Sequence, residues 1–155
     1  MHCLLKPRSN PLKTRTLITA TAIAVSSLVL SPATVGAPSD ELPAPHKQGD
    51  VAFISGGLGQ EEAIAIRHAA PYYSLALEFL LKAKPKDEYL SDVRVQIRDA
   101  NDKLVLNATS NGPFLLANLP DGKYTISAQR NGELKTREVQ IEAKEHRRVV
   151  FEWRS

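Results

Sequence analysis

Cysteine is nearly missing from this chain of 155 residues: the one example, Cys3, stands at the extreme N-terminus. From residue 4 onward there is no thiol, which excludes disulfides, thiolate metal sites and cysteine catalysis. Tryptophan is also single, and Phe, Trp and Tyr together make up only 6%. A sugar-binding face built on grouped aromatics has little to draw on beyond Tyr72, Tyr73, Tyr89 and Trp153. No Gly-x-Ser-x-Gly elbow is present to activate a serine. There is no internal repeat of convincing period and no long low-complexity tract.

What is present begins with a targeting pattern. Lys6, Arg8, Lys13 and Arg15 form a basic start without an acid, followed by the uncharged, mostly apolar run Leu17 to Leu30 and then by small residues. That order predicts a signal peptide over residues 1–37, cleaved after Ala33 or Ala37. An uncleaved anchor is the other reading, since Thr16 to Val35 is 20 uncharged residues and a bilayer core is about 30 Å thick. The Thr and Ser content and the small-residue exit favour cleavage, with no stable membrane insertion afterwards. Cys3 precedes the apolar run, so it is not placed for lipid attachment. Four of the 20 Lys and Arg belong to this segment, leaving 16 against 17 Asp and Glu. The basic pI therefore belongs to the leader and gives no support for a nucleic-acid partner.

Residues 38–50 hold three prolines and few large apolar side chains, and read as a flexible linker. Residues 51–88 read as a helix-plus-strand extension of the domain that continues over 89–155. The helix is expected from Gln60 to Ala70, with Glu61 and Glu62 at its start, Arg67 and His68 near its end, and Pro71 as its stop. A strand follows in which Tyr73, Leu75, Leu77, Phe79 and Leu81 share a face. Leu80 breaks the alternation, which suggests partial burial on both sides. Further strands alternate through Val93-Val95-Ile97, Lys103 to Ser110, Phe114 to Leu119, Tyr124-Ile126-Ala128, Val139-Ile141 and Val149-Phe151-Trp153. Asn131-Gly132 is the strongest hairpin signal, because both residues tolerate positive φ. No element reads as a βαβ unit. The expected fold is a seven-stranded antiparallel Greek-key-type β-sandwich with one short N-terminal helix.

The stretch from Asp92 to Ile141 resembles the carboxypeptidase regulatory-like, or transthyretin-like (prealbumin-like), β-sandwich domains. The resemblance rests on Val93-Arg94-Val95 leading into Asp99-Ala100-Asn101, on Thr109, Gly112 and Phe114, and on Leu119-Pro120-Asp121-Gly122-Lys123-Tyr124. The whole mature chain also resembles a group of small exported bacterial proteins, through Gly56-Gly57-Leu58-Gly59, Glu88 to Val93, Gly112-Pro113 and Phe151-Glu152-Trp153. The resemblance implies a fold. It implies no peptidase chemistry, because no zinc peptidase segment accompanies the match, and Ser91-Asp92 stands where the family usually has a glycine before the first strand.

No catalytic, cofactor-binding or metal-ligating residues are assigned. Ser55 to Gly59 lacks the Gly-Lys-Ser/Thr of a phosphate loop, and Glu61-Glu62 would repel an anion there. His46, His68 and His146 show no ligand spacing. Asp92, Asp99, Asp102 and Asp121 sit where turns need Asp. Gly112, Pro120, Gly122, Tyr124, Gly132 and Trp153 are expected to be structural, with the Tyr124 phenol bonding back to the preceding backbone. Phe114, Leu115 and Leu116 are candidates for partner binding, because consecutive residues of a strand point to opposite faces. The alternative for that strand is an edge packed by the N-terminal helix. The sequence thus predicts a periplasmic or secreted, non-enzymatic module that engages an envelope protein or supports structure, or else a glycan- or peptide-binding sandwich.

Overall fold

Period-two alternation dominates the chain after residue 70, and the computed structural model, which describes residues 42–154, resolves it into strands. The elements are β1 (His46–Gln48), β2 (Val51–Gly56), α1 (Gln60–Ala69), β3 (Leu75–Lys82), β4 (Glu88–Tyr89), β5 (Arg94–Asp99), β6 (Leu104–Thr109), β7 (Phe114–Asn118), β8 (Gly122–Arg130), β9 (Glu133–Ile141) and β10 (Arg147–Arg154). The expected leader, residues 1–37, lies outside the described residues.

Among the described residues the fold is mainly β, with two sheets and one short α-helix. Sheet A runs β1-β2-β7-β3-β10, with β4 also paired to β3; sheet B runs β6-β5-β8-β9. Ten strands stand among the described residues, where seven were expected. Part of the surplus comes from the expected linker: His46–Gln48 pairs with Val51–Phe53 across a turn at Gly49, whose φ is 55°. The short pair β1 and the two-residue β4 carry too little alternation to be read locally.

Two further expectations are corrected. The sandwich is not wholly antiparallel, since β10 pairs with β3 in parallel over their full lengths, from Arg147–Leu75 to Arg154–Lys82. There is also a split βαβ unit. Both β2 and β3 run antiparallel to β7, which lies between them, so β2 and β3 are mutually parallel and α1 is their crossover. The crossover surrounds a strand from far later in the chain, which is why contiguous sequence hides it.

The inter-sheet core follows from the alternation. Val95 and Ile97 of sheet B, with Val93 just ahead of β5, meet Leu75, Leu77, Phe79, Phe151 and Trp153 of sheet A, with Leu106, Leu115, Tyr124, Ile126, Ala128 and Ile141 filling the layer. Each fully buried large apolar side chain contributes about 1.5–3 kcal/mol relative to exposure. At the open side of the sandwich, Lys135 of β9 lies 5.8 Å from the Trp153 ring and Arg137 lies 5.9 Å from Phe151. These inward-pointing cations cover the core with their stems and guard an edge strand against pairing with another chain.

A second, smaller core occupies the outer face of sheet A. Ala63 and Ile66 of α1 pack on Ile54, Ala76, Phe114 and Leu116. Tyr73, expected in the main apolar stripe, packs here instead, because it precedes β3 in the turn that brings the chain from the helix to the sheet.

A charged cleft beside the helix

Strand β7 lies in the middle of sheet A with β2 and β3 on either side, and it is not an edge. Leu115 points into the inter-sheet core, while Phe114 and Leu116 point under α1, and all three are buried. The candidate partner patch on this strand is therefore not exposed, and of the alternative, an edge strand packed by the helix, the helix is present and the edge is not. Sheet pairing closes both backbone edges, and the helix closes the one face that alternation left open. Phe114 alone contributes to a surface feature, as part of the wall of a cleft.

That cleft forms where α1 stops covering the sheet. The last turn of α1 and the 3-10 turn Ala70–Tyr72 form one bank, and the outer faces of β3 and β10 form the other. Its volume is about 450 Å³. The apolar floor includes Ile66, Ala76 and Phe114, and the charged rim includes Arg67, Glu78, His146 and Arg148, with Tyr89 at one end.

Glu78 holds an outer-face position of β3 beside Phe114 of β7 and Val150 of β10. Only 6% of it is exposed. A carboxylate at that depth needs a partner, and Arg148 supplies one. Its Nε donates to Glu78 Oε2 at 3.1 Å, and its Nη2 donates to the same oxygen. The Arg148 side chain remains 64% exposed, so the pair is anchored at the acid and open at the base.

Arg67 is held differently. Its guanidinium carbon lies 5.4 Å from the Phe114 ring centroid and 5.9 Å from that of Tyr89. Its Nη2 donates to the Tyr89 hydroxyl at 3.4 Å. Stacking of this kind contributes about 0.5–1 kcal/mol at exposed sites. Among the described residues, no carboxylate forms an ion pair with Arg67. His146 completes the rim, with Nδ1 at 2.8 Å from the Tyr73 carbonyl oxygen. A carbonyl only accepts, so Nδ1 carries the hydrogen and Nε2 is the free acceptor of the neutral ring.

The other sequence candidates fall elsewhere. Glu62 Oε2 accepts from Gly57 N at 2.8 Å and from Leu58 N at 3.2 Å, so the loop's own acid occupies the amides of the glycine-rich turn. Ser55 Oγ donates to Phe114 O and accepts from Asn111 N, both at 3.0 Å, which ties the serine into the fold. Asp99 Oδ1 accepts from Asn101 N at 2.8 Å and Lys103 N at 3.0 Å, as a turn residue does. His46 lies beside the Phe53 ring at 5.4 Å, remote in the chain from His146. Among the described residues, no three His, Cys, Asp or Glu side chains gather as a metal site.

The structural set is placed as follows. Tyr124 Oη donates to Pro120 O at 2.9 Å. Gly122 opens β8, and Gly132 adopts φ 84° beside Asn131 at 49°, which closes the β8–β9 hairpin. Gly112 lies so close to the Gly56 backbone that a Cβ there would overlap its carbonyl. Trp153 is buried, and its Nε1 has no hydrogen-bond partner among the described residues.

Sequence reasoning missed Glu78, Arg148 and Arg67 as a set. Each was legible only as a polar residue on an outward face or at a helix end. Glu78 and Arg148 stand 70 positions apart and meet only through the parallel β3–β10 pairing. No protein-family model matches this chain, and no curated protein matches it.

Proposed function

We propose that this chain is an exported, non-enzymatic binding module of the cell envelope, built on a carboxypeptidase regulatory-like, transthyretin-like sandwich, which engages a protein partner at the cleft beside α1. The observation that supports this reading is the cleft itself. It combines an apolar floor with Arg67, a cation that lies against two rings and has no ion-pair partner among the described residues. A few placed polar groups over an apolar surface are the usual composition of a binding site. The basic start, apolar run and small-residue exit of residues 1–37 support export to the periplasm or beyond.

The test uses the full-length chain in cells. A photo-reactive aromatic residue replaces Tyr89 in the cleft, and in a second strain it replaces Thr136 on β9, an exposed position on the other sheet. The expected result is one dominant envelope protein captured from position 89 and none from position 136. Equal capture at both positions, or none at position 89, removes the support for this reading. Mass spectrometry of the envelope fraction is expected to find an N-terminus at Thr34 or Pro38. An intact leader on all of the protein would overturn export by cleavage.

A further inference from the structure

We infer that the cleft beside α1 recognises a carboxylate adjoining an apolar side chain, as the C-terminal end of a partner protein presents them. This rests on the reading of the cleft as a binding site and names what it binds.

The charge on the rim carries the first half. Two guanidinium groups and one carboxylate line the cleft, so it is cationic even with His146 neutral. Glu78 already engages Arg148 through Nε and Nη2. Arg67 has no such partner among the described residues; its exposed guanidinium lies against the Phe114 and Tyr89 rings. A planar guanidinium matches a planar carboxylate through two parallel N–H···O bonds. The nearly buried Glu78 disfavours a doubly charged phosphate in the same space, whereas a single negative charge balances the rim.

The floor carries the second half. Beneath the cation the lining is apolar: Ala76 and Phe114 each keep 6% of their surface exposed, and the fully buried Ile66 backs them. A sugar acid would set hydroxyls against that floor without partners, and buried unpaired hydroxyls are costly. An aliphatic side chain loses nothing there. At about 450 Å³ the cleft suits a chain end better than a long segment. The free Nε2 of His146 is an acceptor for a backbone N–H of the incoming chain.

The experiment is an NMR titration of the 15N-labelled protein, purified as cells process the full-length chain. The probes are N-acetyl-leucyl-leucine with a free carboxylate, the same dipeptide as its C-terminal amide, and digalacturonate. Saturable shifts at the Arg67 side-chain Nε–H and at cleft amides are expected with the free acid. Its affinity is expected to exceed that of the amide about ten-fold, a difference of about 1.4 kcal/mol. Arg67→Gln is expected to remove that preference, and Arg67→Lys to restore part of it, with Trp153 fluorescence checking that both variants remain folded. Equal affinity for acid and amide, tighter binding of digalacturonate, or no saturable shift in the cleft overturns the carboxylate chemistry. Such a failure with capture at position 89 intact leaves the binding-module reading standing. Loss of both retires both.

Discussion

Replacing Tyr124 by Phe removes one hydroxyl and leaves the ring that fills the core. The hydroxyl donates to Pro120 O at 2.9 Å and closes the arch that carries the chain from β7 in sheet A to β8 in sheet B. One such bond contributes about 0.5–1.5 kcal/mol net. Pro120 is exposed, so water can satisfy the vacated carbonyl, which places the loss near the middle of that range, at about 1 kcal/mol. For a domain of this size, that lowers the melting midpoint by about 4 °C. Trp153, the only tryptophan and a buried one, reports unfolding by fluorescence. The pH dependence adds a second, independent readout. Burial first, and then the negative charges of Asp99 and Asp121, hold the Tyr124 phenol above its ordinary value of 10.0. Below pH 10 both folded and unfolded phenols keep their protons, and the stability contribution is complete. As pH rises past 10, the unfolded phenol ionises first, so the folded state loses that contribution until the native phenol also titrates. Tyr124→Phe lacks this loss. The stability gap between wild type and variant should therefore narrow above pH 10. An unchanged midpoint at pH 7, or a gap that stays constant through pH 10 to 11, would refute the reasoning.

Other expectations follow from single contacts. Arg148→Gln strands the buried Glu78 carboxylate and is expected to cost about 1–3 kcal/mol in urea unfolding, below the figure for fully buried pairs because Arg148 is largely exposed. Glu78→Gln leaves only an exposed cation and should cost less; the reverse order would contradict the asymmetry. Gly112→Ala drives a Cβ into the Gly56 backbone, and a loss of about 1–3 kcal/mol is expected, measured by the same unfolding curves. In Gly132→Ala the added Cβ meets no neighbour within 4 Å, so its cost is backbone strain alone, about 1–2 kcal/mol. Faster amide exchange confined to the β8–β9 hairpin would be its signature.

Much of the local structure was legible in advance. The helix matches its expected span to within one residue, and Pro71 stands in the 3-10 turn just beyond it. Val93-Val95-Ile97, Tyr124-Ile126-Ala128 and Phe151-Trp153 all face the core, as alternation indicates. Asn131-Gly132 forms the expected hairpin. The misreadings share a cause. Lys103 to Ser110, Phe114 to Leu119 and Tyr124-Ile126-Ala128 read as consecutive strands, but β7 joins sheet A while β6 and β8 belong to sheet B. His46–Gln48 resembles linker because prolines and charges surround it, and only its pairing with β2 makes it a strand.

The sequence by itself determined where the helix and the longer strands form, that Asn131-Gly132 turns with positive φ, and which side of those strands is apolar. These are properties of neighbouring residues: steric limits at Gly and Asn, proline's missing donor, and period-two hydrophobicity. The tertiary structure alone decided which strands are neighbours, because backbone donors and acceptors are the same in every strand and alternation names a face without naming a partner. That decision placed β7 between β2 and β3, hid Phe114, Leu115 and Leu116, and laid β10 along β3 so that Arg148 reaches Glu78. The cleft arises from that pairing, and no local pattern in the chain encodes it.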